Sequence, residues 1–394
     1  MTPRKTICLL SFSPVAKDGR VLRHLKFLGE HYDLIAIGYG EDPSPFLPGV
    51  RLTWHEVKAP PGGKFRKLYR TLMRWPGRVI PSLDWVPDTM MPDWKEAQAI
   101  LRGLDYDLFF GNDISALLLA VWQHRTKGKP FFMDYHEFAP LEASEKAWHR
   151  WFHGPHGGRL LKRYGRLAAG SSTVNPMFTE RFERDFGFPS VSVMNAPVLI
   201  DLPPAAPRVD DRIHLVFHGA PQGDRNLDVL IRAMPLLDNR FVLHLLLSSG
   251  AEDGSLYRRL AAAAPPGRIV FEENVRPAGM VARLTGWDIG FNILTPLNYN
   301  HNHALPNKFF DYIHAGLASV CSNTVTASDF VSRYGIGWVL DAITPECIAA
   351  LLLSLTPEDI AVRKAAALRL REQIHARAEE AHLVSLVQKI LPAA

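Results

Sequence analysis

The sequence predicts an α/β protein made of two doubly wound, Rossmann-like halves facing each other across a cleft. Three observations lead there. Short apolar runs of strand length alternate with longer stretches whose apolar residues recur at helical spacing, the pattern of a mostly parallel sheet covered by helices. The alternation breaks once, at LIDLPPAAPRVDDR (199–212), where the composition turns to proline and charge, and then resumes. The chain, at 394 residues and 47% hydrophobic, is longer than one ordinary domain and rich enough for two cores. The expected division is an N-terminal domain over 1–200, a linker over 201–212 and a C-terminal domain over 213–394, with the last helix crossing back to the first domain.

In chain order, TICLLSF reads as a buried strand, SPVAKDGR as a loop, VLRHLKFLGEHY as a helix and YDLIAIGYG as the next strand. DYDLFFGND, the helix ISALLLAVWQHR, KPFFMDYHE and RLAAGSSTVNPMFTERFERDFG continue the alternation. After the linker come the strand IHLVFHGA, helix NLDVLIRAMPLL, strand FVLHLLLSSG, helix SLYRRLAAAA, strands RIVFEE and WDIGFNIL, a helix opening near Lys308, and the strand LASVCSN. In open sheets of this kind ligands sit outside the carboxyl ends of the strands, so the loops that follow strands are where site residues belong.

Bulk composition narrows the function. The three cysteines, Cys8, Cys321 and Cys347, are far apart and lack metal-ligand spacing, which argues against a disulfide framework or zinc site and fits a reducing cytoplasm. The N-terminal apolar stretch is broken by Ser and Pro and is no signal peptide, and no apolar run of about 18 residues offers a membrane span. A net charge of +5 implies no polyanion partner, and no nucleic acid is expected. Neither the glycine-rich dinucleotide fingerprint nor the Walker loop follows any strand, which disfavours dehydrogenase and NTPase readings.

What remains is phosphate recognition by single cations and helix ends. In FHGAPQGDRNLDVL, Gly219 lets the backbone approach a ligand and Arg225 presents a guanidinium fork; a turn glycine and a solvated arginine are the plainer alternative. In ALPNKFFDYIHAGLASV, Asn307 and Lys308 stand where a helix opens. A cation there either snorkels to water or shares an anionic guest with the helix dipole. In the first half, FMDYHEF places Asp134, His136 and Glu137 after one strand, and GND places Asn112 and Asp113 after another. His136 can donate or accept a proton near neutral pH, or simply be a satisfied strand-end residue; Asp113 suits orientation or deprotonation of a hydroxyl, or simply caps the next helix. Asp105 and Asp107 spell a DxD, but they precede their strand, away from the ligand edge, so no essential metal is expected. Residues 57–83 carry seven cations and no acid, with apolar residues at helical spacing, the pattern of a basic interfacial helix or of a core-facing helix with a solvated side.

Taken together, DGRVLRHLKFL, GND, MDYHEF, RLAAGSSTVNPMFTERF, VMNAP, HGAPQGDRNLDVLIRA and ALPNKFFDYIHAGLASVCSN resemble the GT-B glycosyltransferases, particularly the large retaining group of bacterial cell-wall and polysaccharide enzymes. The resemblance spans nearly the whole chain and implies sugar transfer from a nucleotide diphosphate sugar to a saccharide or lipid-linked acceptor, without a cofactor or essential metal. It gives Lys308 the donor diphosphate and Asp311 the donor ribose. Where the family has a sugar-facing glutamate, this chain has His303. The implied donor set is Gly219, Arg225, His303, Asn307, Lys308 and Asp311; the catalytic candidates are His136, Asp113 and Glu137; Asp18, Gly19 and Arg20 form an N-terminal cleft loop. Retention is the expected outcome, with inversion through Asp113 or Glu137, sugar-nucleotide epimerisation and noncatalytic nucleotide-sugar binding as alternatives. A lipid-linked acceptor would suit Lys64, Arg66, Lys67, Arg70, Arg74 and Arg78 as an anionic-membrane contact, giving a cytoplasmic protein peripheral to the inner face of the membrane.

Overall fold

The computed structural model describes residues 4–59, 80–202, 210–248, 262, 266–273 and 275–393. The basic stretch from Lys64 to Arg78 and most of SLYRRLAAAA lie outside the described residues. The chain divides into two compact units, Met1–Met194 with Asn298–Asn300 and Arg377–Ala394, and Asn195–Leu297 with His301–Ala376. The division falls after Met194, ahead of the proline-rich stretch, and the closing helix Ala376–Ile390 counts with the first unit from Arg377 onward.

The first unit holds a seven-stranded parallel sheet: β1 (Thr6–Pro14), β2 (Asp33–Tyr39), β3 (Leu52–Glu56), β4 (Leu108–Asn112), β5 (Phe131–Tyr135), β6 (Gly170–Thr173) and β7 (Val191–Ser192). Their order is β3-β2-β1-β4-β5-β6-β7, so the chain reverses direction across the sheet between β1 and β4. β4 and β5 are buried along their whole length, as continuous apolar runs in a two-sided parallel sheet should be. One face packs Phe109, Phe131 and Met133 against the helix Ile114–Lys127; the other packs Leu9, Phe110 and Phe132 with Leu383 and Val387 of the closing helix.

The second unit holds six parallel strands: β8 (Ile213–Gly219), β9 (Phe241–Leu247), β10 (Ile269–Phe271), β11 (Ile289–Asn292), β12 (Ala318–Ser322) and β13 (Gly337–Leu340). Their order, β10-β9-β8-β11-β12-β13, puts the reversal between β8 and β11. The helix Asn307–His314 lies against this sheet through Tyr312, whose ring occupies the space a side chain at Gly290 would need. Two elements are shorter than their apolar patterns suggest. The helix from Leu227 ends at Ala233, because Pro235 has no N–H for the next helical bond and Met234–Leu236 tightens into a 3-10 turn. The strand expected over WDIGFNIL pairs only from Ile289 to Asn292.

Candidate functional site

Each unit carries one group of charged side chains at the carboxyl edge of its sheet, and each group is described within its own unit.

In the first unit the centre is Asp134, in β5 and fully buried. The helix Gly19–Gly29 begins at Asp18, whose carboxylate caps it by accepting from the N–H groups of Arg20 and Val21. That cap orients the first turn so that Arg20, only 5% exposed, turns inward. Its Nε donates to Asp134 Oδ2 at 2.7 Å and its Nη2 to Oδ1 at 2.6 Å, a two-point fork, while Nη1 donates to the Val193 carbonyl at 2.5 Å. One turn on, His24 places Nε2 3.1 Å from Asp134 Oδ2 and Nδ1 2.8 Å from Glu380 Oε2 of the closing helix. A ring with a carboxylate at each nitrogen is an imidazolium. Burial works against that charge, but Glu380 and Asp134 outweigh it and raise the His24 pKa. Burial likewise opposes the Asp134 charge, and Arg20 and His24 overcome it, holding the carboxyl well below the usual range. Ser172 Oγ donates to Asp134 Oδ1 at 2.5 Å.

His136 stands beside this centre, half-buried, with Nε2 2.8 Å from Asp134 Oδ2 but outside hydrogen-bond geometry. Asp113 follows β4 at a φ of 64° and ψ of 167°, a conformation that costs a non-glycine residue about 1–3 kcal/mol. Its N–H donates to the Asp134 carbonyl at 2.6 Å and its carboxylate accepts from Ile114 N–H at 2.8 Å. Asp113 is thus a helix cap held in a strained backbone, and burial raises its pKa against the pull of His136. Glu137 is partly buried next to His136, and Asn112 donates to the Leu10 carbonyl across the β1–β4 reversal. Asp105 and Asp107 lie at the opposite edge, one paired with Lys129 at 3.0 Å and the other accepting from Thr6 N–H at 2.8 Å. Among the described residues no group of three or more His, Cys, Asp or Glu is arranged to hold a metal ion.

In the second unit β8 ends at His218 and Gly219, and Gly219 has a φ of +113° with open space where a side chain would stand. The chain turns through Gly223–Arg225 into Asn226, which is left-handed at φ 50°. Asn226 Nδ2 donates to the Asp224 carbonyl at 3.1 Å and to Thr295 Oγ1 at 2.9 Å, and Thr295 N–H donates to the same carbonyl at 3.0 Å. The Arg225 turn is therefore tied to the segment after β11, at the reversal of the sheet. Arg225 Nε reaches Asp224 Oδ1 only at 4.0 Å, and His301 Nε2 lies 3.5 Å from Asp224 Oδ2.

Lys308 enters from the second position of the helix Asn307–His314, whose N-cap, Pro306, offers no side-chain acceptor. It is 7% exposed, with Nζ 4.3 Å from the centroid of the Phe217 ring. Among the described residues no carboxylate comes within ion-pair distance of that ammonium. Burial, then the neighbouring Arg225, drives its pKa well below the usual lysine range, and Asp224 only partly opposes them. Snorkelling is excluded by the burial. Asp311, one turn into the helix, places Oδ2 3.5 Å from His218 Nε2. His303 is buried with Nδ1 2.9 Å from Thr326 Oγ1, and Asn307 is exposed.

Sequence patterns missed His24, Glu380, Ser172 and His218. Arg20 and His24 sit four apart on the apolar side of their helix beside Val21, Leu25 and Leu28, the one local sign of a buried charge there. His218 was hidden in an apolar strand.

No protein-family model matches the chain, and no curated protein matches it in sequence. Solved structures do match in shape. HepE from Anabaena in complex with UDP-glucose superposes with a TM-score of 0.68 at 12% identity, over 98% of this chain and 100% of HepE. Sucrose-phosphate synthase from Thermosynechococcus elongatus gives 0.71 at 13% identity, over 99% and 100% of the two chains. A glycosyltransferase from Rickettsia africae gives 0.62 at 12% identity, over 99% and 100%. Identities this low speak to architecture alone. The chain therefore has the two-unit α/β fold of these proteins, the GT-B fold.

Proposed function

We propose that this protein is a glycosyltransferase that moves a sugar from a nucleotide diphosphate sugar to a saccharide or lipid-linked acceptor in polysaccharide or glycoconjugate biosynthesis. The observation that carries the reading is the pair of neighbouring cations Lys308 and Arg225, one buried without an ion-pair partner among the described residues, at the edge where the second sheet reverses. A buried lysine whose charge is disfavoured by its surroundings becomes favourable once an anion arrives. A diphosphate fits, bound by the two cations and the N–H groups opening the helix Asn307–His314. Asp311 is assigned the ribose hydroxyls and His303 the donor sugar. HepE, a structural neighbour, was solved with UDP and with UDP-glucose, which supports a donor of that class.

In the retaining reaction the bond from the sugar C1 to the diphosphate oxygen breaks, and the acceptor oxygen bonds to C1 on the same face. The acceptor's proton passes to the departing phosphate oxygen. Lys308 and Arg225 stabilise the charge that develops there, an electrostatic contribution made without a metal. His136, with Asp134 against its Nε2, is assigned to the reacting sugar. The inverting alternative draws support from Asp113, whose raised pKa and strained backbone suit a base; the anomeric configuration of the product separates the two.

The direct test is a thermal-shift panel of nucleotide sugars followed by a transfer assay with the stabilising donor, since ligand binding to the folded state raises stability by mass action. A stabilising nucleotide sugar that yields free nucleoside diphosphate and glycosylated acceptor is the expected result. Chelation by EDTA should leave transfer unchanged, and restoration of a lost activity by magnesium would overturn the metal-independent assignment. For the stretch from Lys64 to Arg78 the proposed partner is an anionic membrane, and reversing Arg66, Arg70 and Arg74 to Glu should release the protein from anionic vesicles. No helix among the described residues is long and apolar enough to cross a membrane.

A further inference from the structure

A chain of hydrogen bonds in the second unit serves none of the roles assigned so far. His214, near the start of β8, and His244, in the middle of the neighbouring strand β9, face each other with His214 Nδ1 2.9 Å from His244 Nε2. A carboxylate stands at each end: His214 Nε2 is 3.1 Å from Asp210 Oδ1, and His244 Nδ1 is 2.7 Å from Glu272 Oε1. Each carboxylate has an arginine against it. Arg212 Nε donates to Asp210 Oδ2 at 2.7 Å and its N–H to Oδ1 at 3.0 Å, holding that carboxyl down at about 2, and Arg283 Nη2 donates to Glu272 Oε2 at 2.5 Å.

An ionised carboxylate only accepts, so the three contacts along this chain need three ring N–H protons. Two neutral imidazoles supply only two. The pair therefore closes every contact when it holds one extra proton, a single positive charge between two acids. With one proton more, two N–H groups would point at each other; with one fewer, one contact becomes two facing acceptors. Burial lowers the His244 pKa against the pull of Glu272, which makes His244 the neutral ring and leaves His214 to donate at both nitrogens. The other charges around the pair have partners of their own. Asp288 Oδ2 accepts from the His214 backbone N–H at 2.9 Å and its Oδ1 from Lys364 of the helix Pro357–Arg371 at 2.9 Å, while Arg283 of the helix Pro277–Leu284 also lies over Trp287, whose ring stacks on His244.

When the extra proton leaves, the contact that gives way is the outer one. Asp210 is the most exposed of the four side chains, and it can turn its oxygen to water while keeping Arg212. It also closes the proline- and charge-rich stretch 199–212, just where the chain enters β8. We propose that Asp210, His214, His244 and Glu272 form a proton-operated latch that pins this entry to the second sheet, closed while the histidine pair holds its third N–H proton and released at the Asp210 end when that proton leaves. The sign follows from linkage: a contact made by the protonated form is present at low pH and is lost as pH rises through the titration of the pair.

The test is hydrogen exchange of the full chain over residues 210–216 at about pH 5.5 and about pH 8, on either side of the range in which histidine changes charge, with each rate taken relative to its intrinsic value. Wild type should lose about tenfold in protection at the higher pH, the upper end of one hydrogen bond. Asp210→Asn keeps an acceptor for the protonated ring and can turn its amide to donate to the neutral one, so its protection should be the same at both pH values. His214→Phe lacks the latch and should exchange fast at both. Nitrogen NMR of the histidine-labelled wild type, assigned with His214→Phe and His244→Phe, should count three N–H protons on the two rings at the lower pH and two at the higher. Equal wild-type protection at both pH values, a pH step that survives in Asp210→Asn, or the same N–H count at both pH values overturns the latch.

Discussion

The Asp134 group of the first unit and the Lys308 group of the second are both buried clusters of charge, yet they are built to opposite plans. Around Asp134 each charge has its counter-charge in place: Arg20 and His24 against Asp134 and Glu380, with distances of 2.6–3.1 Å. Around Lys308 the charged neighbour with the largest effect on its titration is another cation, Arg225, and the acid Asp224 lies 3.5 Å from His301 Nε2. A closed cluster has satisfied its charges by folding and can only lose by being opened. An open one is incomplete until something anionic arrives. Buried charge by itself therefore does not mark a ligand site; the missing partner does.

The largest effect should come from opening the closed cluster. Asp134→Ala leaves the Arg20 guanidinium and His24 imidazolium buried without their shared acceptor, and should cost about 3–5 kcal/mol of folding stability. Urea denaturation measures it directly. A loss below 1 kcal/mol would mean that the cluster is not closed in solution.

The next effect lies in the open cluster and depends on pH. His218 has a folded pKa of about 3 against an ordinary 6.5, so the unfolded chain binds the proton first and stability falls as pH drops below 6.5, until about 3. Between pH 7 and 5 this one group should remove about 2 kcal/mol. The His218→Phe variant should lose that much less over the same interval, and equal slopes for variant and wild type would contradict the assignment of a neutral ring.

Lys308 should give a trend of the same sign at higher pH. Its folded pKa is lowered by burial and by Arg225, so the unfolded chain again holds the proton longer, and the ligand-free protein should gain stability as pH rises through the folded pKa toward the ordinary lysine value. Lys308→Met should flatten that rise and melt no lower than wild type near neutrality. A destabilised variant would show that the ammonium has a partner after all. Smallest of all, Asp105→Asn should leave the melting midpoint and transfer activity unchanged, because its carboxylate is solvated, pairs with Lys129 and lies at the sheet edge opposite the Asp134 group.

The sheets were legible because strand-length apolar runs and helical spacing are local signals. The two reversals, between β1 and β4 and between β8 and β11, follow once the strands are paired. Lys308 and Arg225 were legible as cations where helices open, since a charge at such a place has few explanations. His24, Glu380 and His218 were not. The His24–Glu380 contact closes across 356 residues, and nothing in either local pattern names the other. His218 sits inside IHLVFHG, where the periodicity reports burial but not that one buried side chain lacks a partner. Arg20 shows the same limit: DGRVLRHLKFL reads as a loop leading into a helix, and only the Asp18 cap and the register of β5 turn the guanidinium inward. Asp113 reads as a cap and is one, but its positive φ is set by the bond from its N–H to the Asp134 carbonyl on the neighbouring strand.

The central claim is that the open cluster is a diphosphate site, and calorimetric titration of wild type and Lys308→Met with a nucleoside diphosphate and with pyrophosphate tests it most directly. Removing a charge-assisted contact should weaken both ligands by about 1.5–3 kcal/mol, with folding intact. Asp311→Ala should weaken the nucleoside diphosphate alone. Wild-type affinity for both ligands in Lys308→Met would contradict the account, because the buried lysine would then have no anionic guest.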